Sequence, residues 1–259
     1  MYKLYVIPGS HACRAAMLML DHKEAPYQRV EFITLTHATM VRLHGFDAGG
    51  QTRAAGGKRP LALRMGDSFG TVPGLADGDR KISTNYRIAR YLDEQRPEPA
   101  LLPADPKQRA RVEEAERWAN GELQMEARRI IFSAVLQDPV KMSKLSGDGR
   151  IGALLYRQER ARRLIAPWIG RLVFASRPAE DRELVQQLPA VLDRVDAWIA
   201  AGVLGGDELN VADFMIAPSL ALILYRPDVQ EIFEDRPALA LVDRLLPEPT
   251  SSGPAFTSA

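Results

Sequence analysis

Ser10 and Cys13 are the residues whose type and spacing could do chemistry. They stand three apart, just after the apolar run Leu4-Tyr5-Val6-Ile7 and the turn Pro8-Gly9. A helix is expected from Ala12 to about His22, with Ser10 where it begins. There the hydroxyl can cap the first orphan amides near the positive end of the helix dipole. Such a place holds anions, and a thiolate is one anion that gains from it. A hydroxyl donating to a thiolate is worth roughly 1.5–3 kcal/mol, which lowers a thiol pKa by roughly one to two units. Ser10 as a helix cap and nothing more is the competing reading. Cys13 is the only cysteine. It reads either as a nucleophile able to form a mixed disulfide or as a small core residue.

The elements that must position these residues follow from the pattern. Residues 3–7 read as a strand, 12–22 as a helix and Tyr27 to Ile33 as a second strand, a β-α-β unit whose strands should be parallel. Ala38 to His44 reads as a short helix, and the glycine-rich run Gly45 to Pro60 as a flexible loop within an insertion spanning 34–70. Asp77-Gly78 signals a hairpin. Ser83-Thr84-Asn85 caps an amphipathic helix from Tyr86 to about Glu94. Prolines 97, 99, 103 and 106 mark a linker. Asp105-Pro106 then opens a helix whose residues Val112, Ala115, Ala119, Leu123, Ala127 and Ile130 recur at spacings of three and four. Helical segments follow at Gly152 to Phe174, Leu184 to Ala201 and Phe214 to Tyr225, the last capped by Asn210 and Asp213. The chain therefore divides into an α/β domain (1–95, with the insertion 34–70), a linker (96–106), an all-helical domain (107–246) and a disordered tail (247–259).

Composition bounds the function. The 34 basic and 33 acidic residues nearly cancel, leaving a net charge of +1. That argues against a basic nucleic-acid surface, and the run Arg157, Arg160, Arg162, Arg163 reads as a solvated helix face. One cysteine allows no internal disulfide. The histidines have no metal-ligand spacing, so no metal is expected. No signal peptide is visible, and the longest apolar stretch, Phe214 to Tyr225, is too short to span a bilayer. A cytoplasmic protein with no membrane partner is expected.

Four motifs in order give the chain a resemblance to the cytosolic glutathione transferases. They are Ser10-His11-Ala12-Cys13-Arg14, Thr71-Val72-Pro73-Gly74-Leu75, the stretch Ser83-Thr84-Asn85-Tyr86-Arg87-Ile88-Ala89-Arg90-Tyr91-Leu92, and Asn210-Val211-Ala212-Asp213-Phe214. The texture further resembles serine-type, bacterial, actinobacterial-like proteins of this group. The resemblance implies a thioredoxin-like N-terminal domain and an all-α C-terminal domain. It makes Ser10 the thiolate-stabilising hydroxyl, with Ser10, Val72, Pro73, Thr84 and Asn85 holding the thiol and the Val72-Pro73 bond cis. Thr84 stands where the family has Glu or Gln, so it cannot pair with an α-ammonium, and mycothiol becomes an alternative to glutathione as co-substrate. No cofactor is implied. His11, read as solvent-facing, and Cys13 lie beside the site. Tyr5 is a rival hydroxyl. Lys58, Arg59 and Arg64 are candidates for a carboxylate clamp, and Trp118, Met125 and Arg128 for lining an acceptor pocket. A homodimer is implied as well.

The leading expectation is thus an enzyme that adds a small thiol to an electrophile, as in detoxification. Two others stand beside it: a non-catalytic scaffold on the same fold, and a monothiol reductase or peroxidase acting through Cys13.

Overall fold

A computed structural model describes residues 1–7, 9–33, 36–47, 61–137 and 167–247. The N-terminal part is a four-stranded sheet in the order β2-β1-β3-β4. Strand β1 (Tyr2–Val6) lies parallel to β2 (Tyr27–Glu31), with Tyr2 opposite Tyr27 and Val6 opposite Glu31. Helix α1 (His11–His22) makes the crossover, as parallel pairing demands. Strand β3 (Gly74–Asp77) runs antiparallel to β1, Gly74 facing Tyr5, and turns through Gly78 at φ 54° into β4 (Arg80–Ser83). Gly74 is required by close approach, because a Cβ there would come within 2.7 Å of the buried Phe46 ring. Phe46 closes an aromatic cluster with Tyr5, Phe32 and His44.

Helix α1 is apolar on most of its circumference because it is covered twice. It packs against α4 (Asn85–Gln95) of its own half and against α8 (Val211–Ile223) of the helical half. Two shorter helices, α2 (His37–Leu43) and α3 (Leu61–Phe69), lie between β2 and β3. Helix α2 is the short helix expected there. Helix α3 follows the expected loop, in a stretch for which the sequence pattern named no element. Its exposed Leu61, Met65 and Phe69 fall at spacings of four, a stripe masked in the sequence by the glycine-rich run before it. Most of the expected loop, and Lys58 and Arg59, lie outside the described residues; Arg64 is exposed on α3.

The helical half begins with α5 (Pro106–Trp118), where Asp105 accepts from Gln108 N at 2.8 Å. A π-helical turn, Ala119–Leu123, joins it to α6 (Gln124–Gln137). The expected segment from Gly152 lies outside the described residues up to 166, and its end forms a second π-helical turn, Ile169–Val173. The basic run from Arg157 to Arg163 and residues 248–259 of the expected tail are also outside. Helices α7 (Asp181–Ala200), α8, α9 (Gln230–Phe233) and α10 (Pro237–Leu245) complete the fold. Buried Arg226 fixes α6 to α7, donating to Ile130 O at 2.9 Å and to Asp181 at 2.6 Å. No helix among the described residues is long and apolar enough to cross a membrane.

Every residue of α8 is buried, and its start is a complete capping box. Asn210 Oδ1 accepts from Ala212 N at 2.9 Å, and Asp213 accepts from Asn210 N at 2.9 Å and Gly205 N at 2.8 Å. Burial outweighs these bonds and pushes the Asp213 carboxyl up to about 6. A carboxyl whose pKa is higher folded than unfolded binds more protons in the native state, so its contribution to stability falls as pH rises from about 4 to 6 and is flat above. Lowering the pH from 7 to 5 should therefore stabilise the protein through this residue by about 1 kcal/mol. The check is the urea midpoint against pH for wild type and Asp213→Asn, whose difference should track this window.

Candidate functional site

The three N-terminal motifs meet at the carboxyl end of β1. Ser10 is the N-cap of α1, its Oγ accepting from Cys13 N at 3.2 Å. Since Oγ is the acceptor in that bond, its own proton can donate to a neighbouring sulfur, the Cys13 thiol among them. Asn85, the first residue of α4, donates from Nδ2 to Ala12 O at 2.9 Å and so ties α4 to the first turn of α1. Thr84 N donates to Pro73 O at 3.3 Å, tying α4 to the start of β3. The Val72–Pro73 bond is cis, as expected. Two helix N-termini and the Val72–Pro73 main chain thus converge on one place. Helix N-termini offer free amides and positive potential to an anionic ligand.

Thr84 is held at φ 75°, ψ 143°, with its side chain buried and accepting from Arg87 N at 3.4 Å. A β-branched residue at that backbone geometry costs on the order of 1–3 kcal/mol, a strain that clusters at ligand sites. Its oxygen thereby caps the helix, while its proton, like that of Ser10, can still donate. Asn85 is 1 % exposed, and its Oδ1 has no partner.

Cys13 sits one turn into α1, 1 % exposed. Burial pushes its thiol up to about 11, against smaller opposing pulls from the Ser10 hydroxyl, the Ile7 backbone and the Arg128 charge. At neutral pH it is a protonated thiol packed in the core. In the folded protein at pH 7.5, iodoacetamide should alkylate Cys13 at least about a hundredfold more slowly than a free cysteine, and at the ordinary rate after unfolding in guanidinium. Mass spectrometry reads both. His11 is 3 % exposed, not solvent-facing, because the first turn of α1 is covered. Tyr5 is 6 % exposed within the aromatic cluster.

The helical half brings α6 toward this place, and the Arg128 charge is felt at Cys13. Arg128 donates to Gln124 O at 3.3 Å, lies 3.6 Å from Met125 Sδ and has its guanidinium carbon 5.7 Å from the Phe174 ring centre. The turn before Phe174 contacts α3, so this wall borders both halves. Trp118 is placed differently from the other two acceptor candidates. Its ring packs on Trp198 at 5.1 Å with Arg194 over both, a core contact of α5 with α7. Sequence reasoning passed over Gln124, whose only signal was a polar side chain beside the apolar stripe Leu123, Ala127, Ile130. It is 1 % exposed, and neither amide atom has a partner. Among the described residues no cluster of His, Cys, Asp and Glu could hold a metal ion.

Residues 4–100 match the family described as glutathione S-transferase, N-terminal domain. The chain is 25% identical over 217 residues to glutathione S-transferase Z1 of Arabidopsis thaliana, covering 76% of this chain and 83% of the relative. Glutathione transferase F7 from Populus trichocarpa superposes with a TM-score of 0.58 at 19% identity, covering 99% of this chain and 96% of the other. Maleylacetoacetate isomerase from Anaeromyxobacter dehalogenans, solved with glutathione bound in its active site, superposes with a TM-score of 0.51 at 19% identity, covering 95% and 89%.

Proposed function

We propose that this chain, which has the glutathione-transferase fold and carries the N-terminal domain of that family at residues 4–100, binds a small thiol at the carboxyl end of β1 and transfers it to an electrophile. The observation that carries the reading is the Ser10 hydroxyl, capping α1 through its oxygen and left with a proton for a bound sulfur. Ser10 is the donor to the thiolate, as in the serine-type members. The Val72 and Pro73 main chain and the first turn of α4, at Thr84 and Asn85, hold the rest of the thiol. Catalysis is thiolate stabilisation plus proximity. The electrophile sits between the halves, against Met125 and Arg128. No other cofactor enters this scheme, and the working form is a cytoplasmic two-fold homodimer.

The isomerase with bound glutathione supports glutathione as the thiol. Thr84 bears on that choice, because a buried hydroxyl already engaged by Arg87 N gives an α-ammonium no carboxylate or amide. Mycothiol is therefore the second candidate. Calorimetry of the purified protein with glutathione and mycothiol, side by side, tests the proposal. Binding of one is expected. Binding of neither to the folded protein would overturn it.

A further inference from the structure

Gln124 and Arg128 stand four residues apart and hence on one face of α6. The Arg128 charge reaches the first turn of α1, and its guanidinium stands beside the Phe174 ring. The Gln124 amide is sealed from solvent with neither of its polar atoms bonded. A buried amide in that state is a standing cost, which a hydrogen-bonding ligand would remove. The helix also changes register just before Gln124, at the π-helical turn Ala119–Leu123. Such turns re-aim the side chains that follow and gather at functional sites.

We propose that Gln124 and Arg128 form a carboxylate-recognising wall of the acceptor pocket, so that the preferred electrophiles carry a carboxylate on a flat, apolar body. This specificity rests on the thiol-transfer reading above. Arg128 would take the carboxylate through its planar fork, Gln124 Nε2 would add a donor, and the Phe174 ring would lie against the body. The bond made is sulfur to carbon, and the bonds broken are the thiol S–H, whose proton passes to solvent before attack, and the bond from the acceptor carbon to its halide, which leaves with the electron pair; Arg128 and Gln124 take no part beyond orientation. They are specificity residues, not catalytic ones.

Calorimetry with matched ligands tests this. One pair carries the thiol: S-(4-carboxybenzyl)glutathione and S-benzylglutathione. The other does not: 4-chloro-3-nitrobenzoate and its amide. In wild type, the carboxylate member of each pair should bind about tenfold tighter or more. Arg128→Met should erase that preference, while Arg128→Lys should keep part of it. Gln124→Met should also weaken the preference while raising Tm by about 2–4 °C, because it removes the unbonded amide. A merely structural Gln124 would not give that opposition. Equal affinities within both pairs in wild type, or a preference surviving Arg128→Met, overturns the wall. Selectivity in the thiol-free pair with no binding of either adduct keeps the wall and overturns glutathione transfer. Adduct binding without selectivity does the reverse, and no binding by any ligand overturns both.

Discussion

Ser10→Ala is expected to lower the rate of thiol transfer by about 10²–10³-fold, the usual cost of removing one donor from a developing or stabilised anion. Affinity for the thiol should fall far less than the rate, because in the proposed binding mode the backbone at Val72 and the first turn of α4 are left intact. The pKa governing the rate should rise by about one to two units, since the charge-assisted bond is gone. A cap is lost at the same time, since Ser10 Oγ accepts from Cys13 N. That costs about 1 kcal/mol of stability, too little to unfold the chain. Ser10→Asp separates the two roles. It caps the helix as well as serine does but brings no proton and places a negative charge beside the sulfur, so it should keep the melting temperature and lose the activity. Pre-steady-state rates across pH, with melting curves of both variants, decide this. Full activity in Ser10→Ala would remove Ser10 from the chemistry and leave it as a cap.

Lys23→Ala should destabilise the protein by about 3–5 kcal/mol, a fall in Tm of about 10 °C or more. The Lys23 side chain is 0 % exposed and lies 2.6 Å from Asp93. It also donates to Arg96 O at 2.6 Å and Pro97 O at 3.3 Å. Asp93 in turn accepts from Leu101 N at 2.8 Å and Leu102 N at 3.0 Å. One pair, its cation fully buried and its carboxylate partly exposed, thereby pins both ends of the segment that leaves the α/β half. Removing the cation leaves the carboxylate with only its two backbone donors and strands the carbonyls of Arg96 and Pro97. Lys23→Met with Asp93→Asn should recover part of the loss, because the amide oxygen still accepts a backbone bond and no charge is stranded. Thermal melts of the two single variants and the double form the cycle that reads the coupling.

What was legible in the sequence was local. Alternation and turn residues announced the parallel β1–β2 pair and the hairpin at Gly78, and the cap residues Ser10, Asp105, Asn210 and Asp213 all stand at helix starts. Spacings of three and four showed the helix opening at Pro106 but hid its π-helical turn, since one extra residue per turn shifts the apolar stripe without breaking it. Helix α3 was missed because its apolar residues Leu61, Met65 and Phe69 face outward. The Lys23–Asp93 pair was invisible, as partners 70 residues apart leave no periodic trace. In the site, Ser10 was legible as a cap with a spare proton. The burial of His11 was not, because it depends on what covers the first turn of α1. Gln124 escaped for the same reason, since its unbonded amide is a property of packing.

The double cover of α1 has a consequence for inheritance. Helix α8, buried along its whole length, meets α1 across the boundary between the halves, and His22 of α1 stacks on Phe214 at 5.1 Å. A recombination event that swapped in a foreign N-terminal half would set that apolar seam against unmatched side chains. The two halves are therefore not exchangeable cassettes. Substitutions along α1 and α8 must accumulate in step, so drift in the helical half is bounded by what the N-terminal half can pack against.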